Sequence, residues 1–457
     1  MRIELPFPLA LGDIRSAVGA EGDKNNAAIV NAITTDTRLL QKNDLYVALH
    51  GAKDDGHRYL EVAKTRGAVA SIAECETARG ITVKSTHAAL LDIAALSLRQ
   101  HRVPVVAITG SVGKTGTKEA VAAALSPRYT VHKTKENENN ELGIAKTVLS
   151  RNANATLLVL EMGSNHPGEI APLSHCVSPD LAIITAIGSA HIGAFGSKEA
   201  ILKEKAAITV GMRGGHLLIL NDDPLLSSLI TKIPTISIGI DTPADVMADG
   251  IYSSRFGTSY TLKAEGLRQR VFLRGVGRPR VLSSLFAMAA ARHLGVSMAS
   301  AANALLRLSP PEGRGSVIEV GGVLLIDDAY KSSPEAVAEG ISLLVTVAGG
   351  RRKIAVLGDM LELGEARKAL HRAIGAMAAK ADLLFAFGEC ADSIARGAME
   401  AGLSADRISC FSTCEDCIKG LLSELSDGDC VLVKASHALG GGRIVEAVKN
   451  RGRGSPR

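Results

Sequence analysis

The sequence predicts an α/β protein of three domains, and three observations carry that reading. From about residue 103 onward, short apolar runs that read as buried strands alternate with helical segments, the signature of βαβ units on a parallel sheet. The alternation pauses at a turn-rich stretch, Ser309 to Gly315 (SPPEGRG), and then restarts. The chain has 457 residues, 46% of them hydrophobic and 22% charged, enough for roughly two to four domains that each bury a core. The boundaries are placed at 1–84, 85–308 and 309–457.

In residues 1–84, DLYVAL (Asp44 to Leu49) and GAVASIAE (Gly67 to Glu74) read as strands with a helical stretch between them, a small α/β module. The helical segment Ala88 to His101 (AALLDIAALSLRQH) leads into the apolar strand Val103 to Thr109. LLVLE, LAIITAI and HLLILND are the clearest later strands of a central parallel sheet, and the stretch 236–275 alternates with period two, which predicts antiparallel strands. After the turn, VLLIDD, KIAVLGD, LLFAFGE and CVLVKAS end in polar or glycine residues and predict a Rossmann-like α/β domain. No internal repeat or low-complexity block interrupts this order.

Composition excludes several classes. No apolar run approaches the roughly 18 residues of a membrane span, and the amino terminus lacks the apolar core of a secretory signal, so a cytoplasmic enzyme is expected. Seven thinly spread cysteines fit reduced thiols better than a disulfide framework. A net charge of +5 and few aromatics give neither the charge nor the stacking platform of a nucleic-acid partner. The basic tail KNRGRGSPR reads as a frayed end. Cys410, Cys414 and Cys417 have the spacing of iron-sulfur ligands, but no barrel follows them, so structural thiols are expected. His50, His57, His87 and His101 lack metal-ligand spacing and read as local polar contacts; Met360 and Leu361 read as core or interface residues.

The strongest signal runs from Val105 to Leu125 (VVAITGSVGKTGTKEAVAAAL). A buried strand enters Gly110, Ser111, Val112, Gly113, Lys114, Thr115 and Gly116, and a helix follows. Glycines let backbone amides face a phosphate, the helix start adds partial positive charge, Lys114 adds a full one, and Thr115 offers a hydroxyl to Mg²⁺. The loop departs from the usual G-x-x-x-x-G-K-[ST] spacing, because Ile108 stands where the first glycine belongs. Glu161 closes the strand LLVLE and His191 follows LAIITAI, so both would face this loop. Taken alone, Glu161 reads equally as a helix-capping acid, His191 as a loop histidine, and Lys205 as a solvated helical lysine.

TGSVGKT, ENENNELG (Glu136 to Gly143), LEMGSNHPGEI (Leu160 to Ile170), AHIGAFGSKEAILKEKAAI (Ala190 to Ile208) and VLGDMLELG (Val356 to Gly364) together resemble the Mur ligases, three-domain ATP-dependent ligases of peptidoglycan precursors. TTDTR (Thr34 to Arg38) and DLYVALHGAKDDGH resemble their UDP-binding module. GDMLELGE with downstream His371 is most similar to the branch that adds D-alanyl-D-alanine. The resemblance implies that Lys114 binds ATP phosphates, that Thr115, Glu161 and His191 hold Mg²⁺, and that Lys205 is carbamylated and serves a second metal. It places Asn140 near the phosphates, Arg314 and Asp328 where the carboxy-terminal domain grips ATP, and Thr35, Asp36, Thr37 and Arg38 in the uridine-nucleotide loop. A UDP-linked muramoyl peptide and D-alanyl-D-alanine are the implied substrates, and a monomer the implied state. The alternative is a relative of the same fold that joins a different carboxylate and amine.

The chain departs from that branch's usual pattern in three places. D-D-x-Y-N-A-N-P is here Asp327-Asp-Ala-Tyr-Lys331-Ser332-Ser333-Pro334; G-x-H-N-x-x-N is Gly277-Arg-Pro279-Arg280-Val-Leu-Ser283; and K-G-S-R is Lys434-Ala-Ser-His437.

Overall fold

The computed structural model describes residues 1–21, 26–51, 54–76 and 80–451. Most of the basic tail, residues 452–457, lies outside them. The described residues form three sheets with helices packed on them.

The amino-terminal sheet runs in the order Arg2–Ala10, Ile29–Thr34, Leu45–Val47, Ala70–Ala73, Gly80–Thr82. Its first strand is antiparallel to the second, and the others are parallel. That first strand, RIELPFPLA, contains two prolines and was not read from the sequence; its irregular register between Glu4 and Leu9 accommodates them.

The central sheet has nine strands. Val105–Thr109 lies inside it, paired in parallel with Leu157–Glu161 on one side and Leu181–Ile184 on the other. The chain builds one flank first, through Val131–Lys133 and Leu157–Glu161, then crosses to build the other. Val105–Thr109 is therefore the point where the strand order reverses, and ligand crevices open at the carboxyl ends of strands at such a point. LAIITAI forms a strand as far as Ile184; beyond it the Thr185 amide still bonds the Thr109 carbonyl at 3.0 Å, and the Thr185 hydroxyl reaches the neighbouring loop. The antiparallel run begins later than its period-two pattern predicts: Thr235–Gly239 pairs in parallel with both neighbours, and antiparallel pairing starts with Val246–Ser254 and Gly257–Ala264.

The carboxy-terminal sheet orders Ser316–Val320, Val323–Asp328, Cys430–Lys434, Lys353–Gly358, Leu383–Phe387, Ile408–Phe411. Only its first strand is antiparallel, so Asp328, Lys434 and Asp359 gather at one end of the parallel strands.

One hydrophobic core spans the first two sheets, from Ile3 and Leu9 through Ile93 to Val121 and Ile184. The helix Thr86–Gln100, capped by the Ser85 hydroxyl on the Ala88 amide, joins them. The third sheet has separate cores on its two faces.

The phosphate loop leaves its strand at Gly110, whose φ of 141° lies where a side chain is strained. A Cβ there would fall 2.1 Å from Thr185 Oγ1. That hydroxyl donates to the Val112 carbonyl at 2.6 Å and ties the loop to the adjacent strand. Gly110→Ala is expected to cost on the order of 1–3 kcal/mol, lowering the melting temperature by about 5 °C and weakening triphosphate binding; unchanged melting and unchanged binding would show that the close approach is relieved at no cost.

Candidate active site

The helix Lys114–Leu125 starts directly from Gly113, itself at φ 85°. Its first turn carries Lys114 and Thr115, and the side chains diverge. Lys114 Nζ folds back onto the Gly110 carbonyl at 2.6 Å, and the Thr115 hydroxyl donates to Glu161 Oε2 at 2.9 Å. Glu161 is 2% exposed and accepts at its other oxygen from Asn139 Nδ2 at 2.9 Å. A hydroxyl and a buried carboxylate held together beside a phosphate loop are hard oxygen donors suited to Mg²⁺. As a helix-capping acid Glu161 would face a helix amide; here it faces Thr115.

Lys118, one turn beyond Lys114, is buried. It donates to the Thr134 carbonyl at 2.9 Å and stands 3.8 Å from Glu161 Oε2. Asn140 opens the next helix. Its side chain caps the helix Glu141–Leu149 by accepting from the Gly143 amide at 3.0 Å, and it is Asn139 that reaches Glu161.

Lys205 is 3% exposed, so the reading as a solvated helical lysine is overturned. Its ammonium donates to Ser164 Oγ at 2.6 Å and lies 5.9 Å from the Phe195 ring. Burial pulls its pKa down to about 8, although Glu204 opposes the shift.

His191 sits at φ 62° at the start of Ile192–Phe195. Its Nδ1 pairs with Glu362 Oε2 at 2.5 Å, and its Nε2 accepts from Lys331 Nζ at 3.3 Å. Burial, followed by Lys331 and Lys114, pushes the imidazole down to about 4, so it stays neutral with an Nε2 lone pair facing the cleft. Glu362 and Lys331 both come from the carboxy-terminal domain. The same junction is closed by Glu335, which accepts from the Ser189 amide and hydroxyl at 2.8 and 3.0 Å. Burial, Lys331 and Lys205 also lower the Lys114 pKa well below the usual lysine range.

Arg314 lies over the Tyr330 ring at 4.3 Å. Asp328 pairs with buried Lys434 at 3.0 Å, and Lys434 also donates to the Lys331 carbonyl, fixing the turn that presents Lys331. Ser283 accepts from the Thr117 hydroxyl at 3.3 Å, where the helix Arg278–His293 packs on Lys114–Leu125. Thr35, Asp36, Thr37 and Arg38 gather at the carboxyl end of Ile29–Thr34. Asp36 accepts from the Arg38 amide and pairs with its guanidinium at 2.7 Å, which lowers the carboxyl to about 2.

Two other clusters prove structural. His371 accepts from the Met360 amide at 2.8 Å and bonds the Arg367 carbonyl at 2.7 Å, which leaves no ring nitrogen for a metal beside Asp359 and Cys390. His57 is likewise satisfied by Asp55 and the Glu74 amide. Cys414 and Cys417 are buried free thiols. Met360 is buried, and Leu361 is 40% exposed.

The sequence reading missed Asn139, Lys118, Ser164, Glu335 and Glu362. Lys118 carried one usable signal, its position four residues after Lys114 on one helix face.

Models of the Mur ligase middle domain and of the Mur ligase glutamate ligase domain match residues 108–291 and 313–437. The UDP-N-acetylmuramoyl-tripeptide--D-alanyl-D-alanine ligase of Bacillus subtilis is 34% identical over 92% of this chain and 93% of its own. The Escherichia coli enzyme of that name is 30% identical over 93% and 94%. Among solved structures, MurF from Acinetobacter baumannii superposes with a TM-score of 0.89 at 26% identity, covering 98% of this chain and 100% of that one. MurF ligase from Thermotoga maritima in complex with ADP gives 0.84 at 30% identity, covering 92% and 97%. With two domain models matched in order and full-length relatives above 30% identity, the chain belongs to the Mur ligase family.

Proposed function

We propose that the chain is an ATP-dependent, ADP-forming amide ligase that adds D-alanyl-D-alanine to UDP-N-acetylmuramoyl-tripeptide, acting in the cytoplasm as a monomer in peptidoglycan precursor synthesis. The observation that carries this is the Thr115 to Glu161 pair beside the lysine of a glycine loop, in a chain whose full-length relatives bear that ligase name. Among the described residues no helix is long and apolar enough to cross a membrane. Residues 1–84 take the UDP end of the substrate through Thr35 to Arg38, residues 85–308 take ATP, and residues 309–457 close over it with Arg314 and Asp328.

A carboxylate is a poor acyl donor because oxide is a poor leaving group. Transfer of the γ-phosphoryl of ATP to the tripeptide carboxylate forms an acyl phosphate and ADP. The amine of D-alanyl-D-alanine then attacks the acyl carbon, the carbon-oxygen bond to phosphate breaks, and the amine loses a proton. Lys114 balances charge on the β and γ phosphates, and the amides of Gly110 to Gly116 orient them. Asn140, through its cap on the following helix, holds the segment from which Asn139 steadies Glu161.

Thr115, Glu161 and His191 are the residues that would hold Mg²⁺, and the ion would supply charge neutralisation between nucleotide and acid. Lys205 fits a carbamate. Carbamates form only on a neutral amine, and burial makes that form far more accessible than on a surface lysine. The added carboxylate would turn a cation into a ligand at a place where a bare ammonium repels a metal.

Lys114→Ala is expected to keep its melting temperature and to lower amide formation by at least about 10²–10³-fold, followed as ADP release with ATP, Mg²⁺, the UDP-tripeptide and D-alanyl-D-alanine; near-normal turnover would overturn the assignment. Lys205→Ala is expected to be inactive and partly rescued by added formate or acetate, measured in the same assay, and the absence of rescue would count against the carbamate.

A further inference from the structure

The cleft between the central and carboxy-terminal domains holds a surplus of cations. Lys114, Lys205, Lys331 and Arg314 bear on one another there, with Glu161 and Glu362 offsetting only part of their charge, and like charges brought this close favour a further anion among them. Lys331 differs from the others in being solvent-exposed. Its ammonium has a single side-chain partner among the described residues, the His191 lone pair at 3.3 Å. It lines a cavity of about 200 Å³ together with His191, Tyr330, Ser332 and Glu362.

A second observation concerns the next residue. Ser332 is 6% exposed, lines the same cavity, and its Oγ has no hydrogen-bond partner among the described residues. A buried hydroxyl left unpaired costs about 1–3 kcal/mol, which a ligand acceptor would offset. The turn carrying both residues is fixed from below by Lys434, which bonds the Lys331 carbonyl and pairs with Asp328, and from the far side by Glu335 on the Ser189 loop. An ammonium and a hydroxyl on adjacent residues, held rigidly and facing the cleft, are donors suited to a phosphoryl group.

We propose that Lys331 and Ser332 form an anion seat of the carboxy-terminal domain that takes the terminal phosphoryl group, on the nucleotide and then on the acyl phosphate, with Lys331 leaving the His191 lone pair to do so. This rests on the ATP reading above and adds to it a contact made by the domain that closes.

The test is calorimetric titration of the full chain, in Mg²⁺, with ADP and with β,γ-imido-ATP, for wild type, Lys331→Asn, Lys331→Arg and Ser332→Ala. Lys331→Asn is expected to bind β,γ-imido-ATP about tenfold more weakly, the weight of one charge-assisted hydrogen bond, with ADP affinity changed less than about twofold and an unchanged melting temperature. Lys331→Arg should stay near wild type for both nucleotides, and Ser332→Ala should lose about threefold for β,γ-imido-ATP alone. Equal losses for both nucleotides, or no loss for either, would overturn the seat while leaving the ATP reading intact. A wild type that binds neither nucleotide would sink the ATP reading and the seat together.

Discussion

The site depends on the hydroxyl of Thr185, the residue directly after its strand, which bonds the Val112 carbonyl across the gap to the neighbouring loop. The contact works only because Gly110 has no side chain; any Cβ would occupy the same space as the hydroxyl. Through this bond the carboxyl ends of two parallel strands and the start of one helix become a single rigid unit. Lys114, Thr115 and Glu161 then take their positions from the sheet and not from the flexibility of a surface loop. Phosphoryl transfer draws most of its rate from such positioning, because the protein has little covalent chemistry to perform.

Much of the fold was legible because parallel strands buried on both faces are written as unbroken apolar runs. LLVLE, HLLILND, KIAVLGD and CVLVKAS could hardly be anything else. Several strands that escaped notice lie at edges, among them Arg2–Ala10 with its prolines and Ser316–Val320, where burial imposes no such pattern; the interior strand Ile29–Thr34 escaped as well. The direction of Thr235–Gly239 was also illegible, since period-two alternation reports one covered face and says nothing about which way the neighbour runs.

The site was legible in part. The loop from Gly110 to Gly116 announces itself through local sequence, since glycines, lysine and helix start are contiguous. Lys205 shows the opposite case: nothing within nine residues of helix distinguishes a surface lysine from one that folding buries against Ser164. Asn139 and Asn140 show the limit of matching adjacent residues of one type, for the local chain turn decides which asparagine caps a helix and which reaches the carboxylate. Glu362 and Lys331 meet His191 across more than a hundred residues of intervening chain, and only the packing of two domains brings them there.

The helix Thr86–Gln100 lets the amino-terminal module and the central sheet share one apolar interior, whereas the third sheet keeps its own. Relative movement of the first two bodies would open that interior to water, at a cost proportional to the area exposed. Swinging the third exchanges polar contacts such as Glu335 with Ser189 and Glu362 with His191, and lifts Val276 and Ile192 of the central domain off its core. The connection between Leu306 and Ser316 joins the two bodies, so any movement of the third would leave the amino-terminal module at a constant distance from the glycine loop.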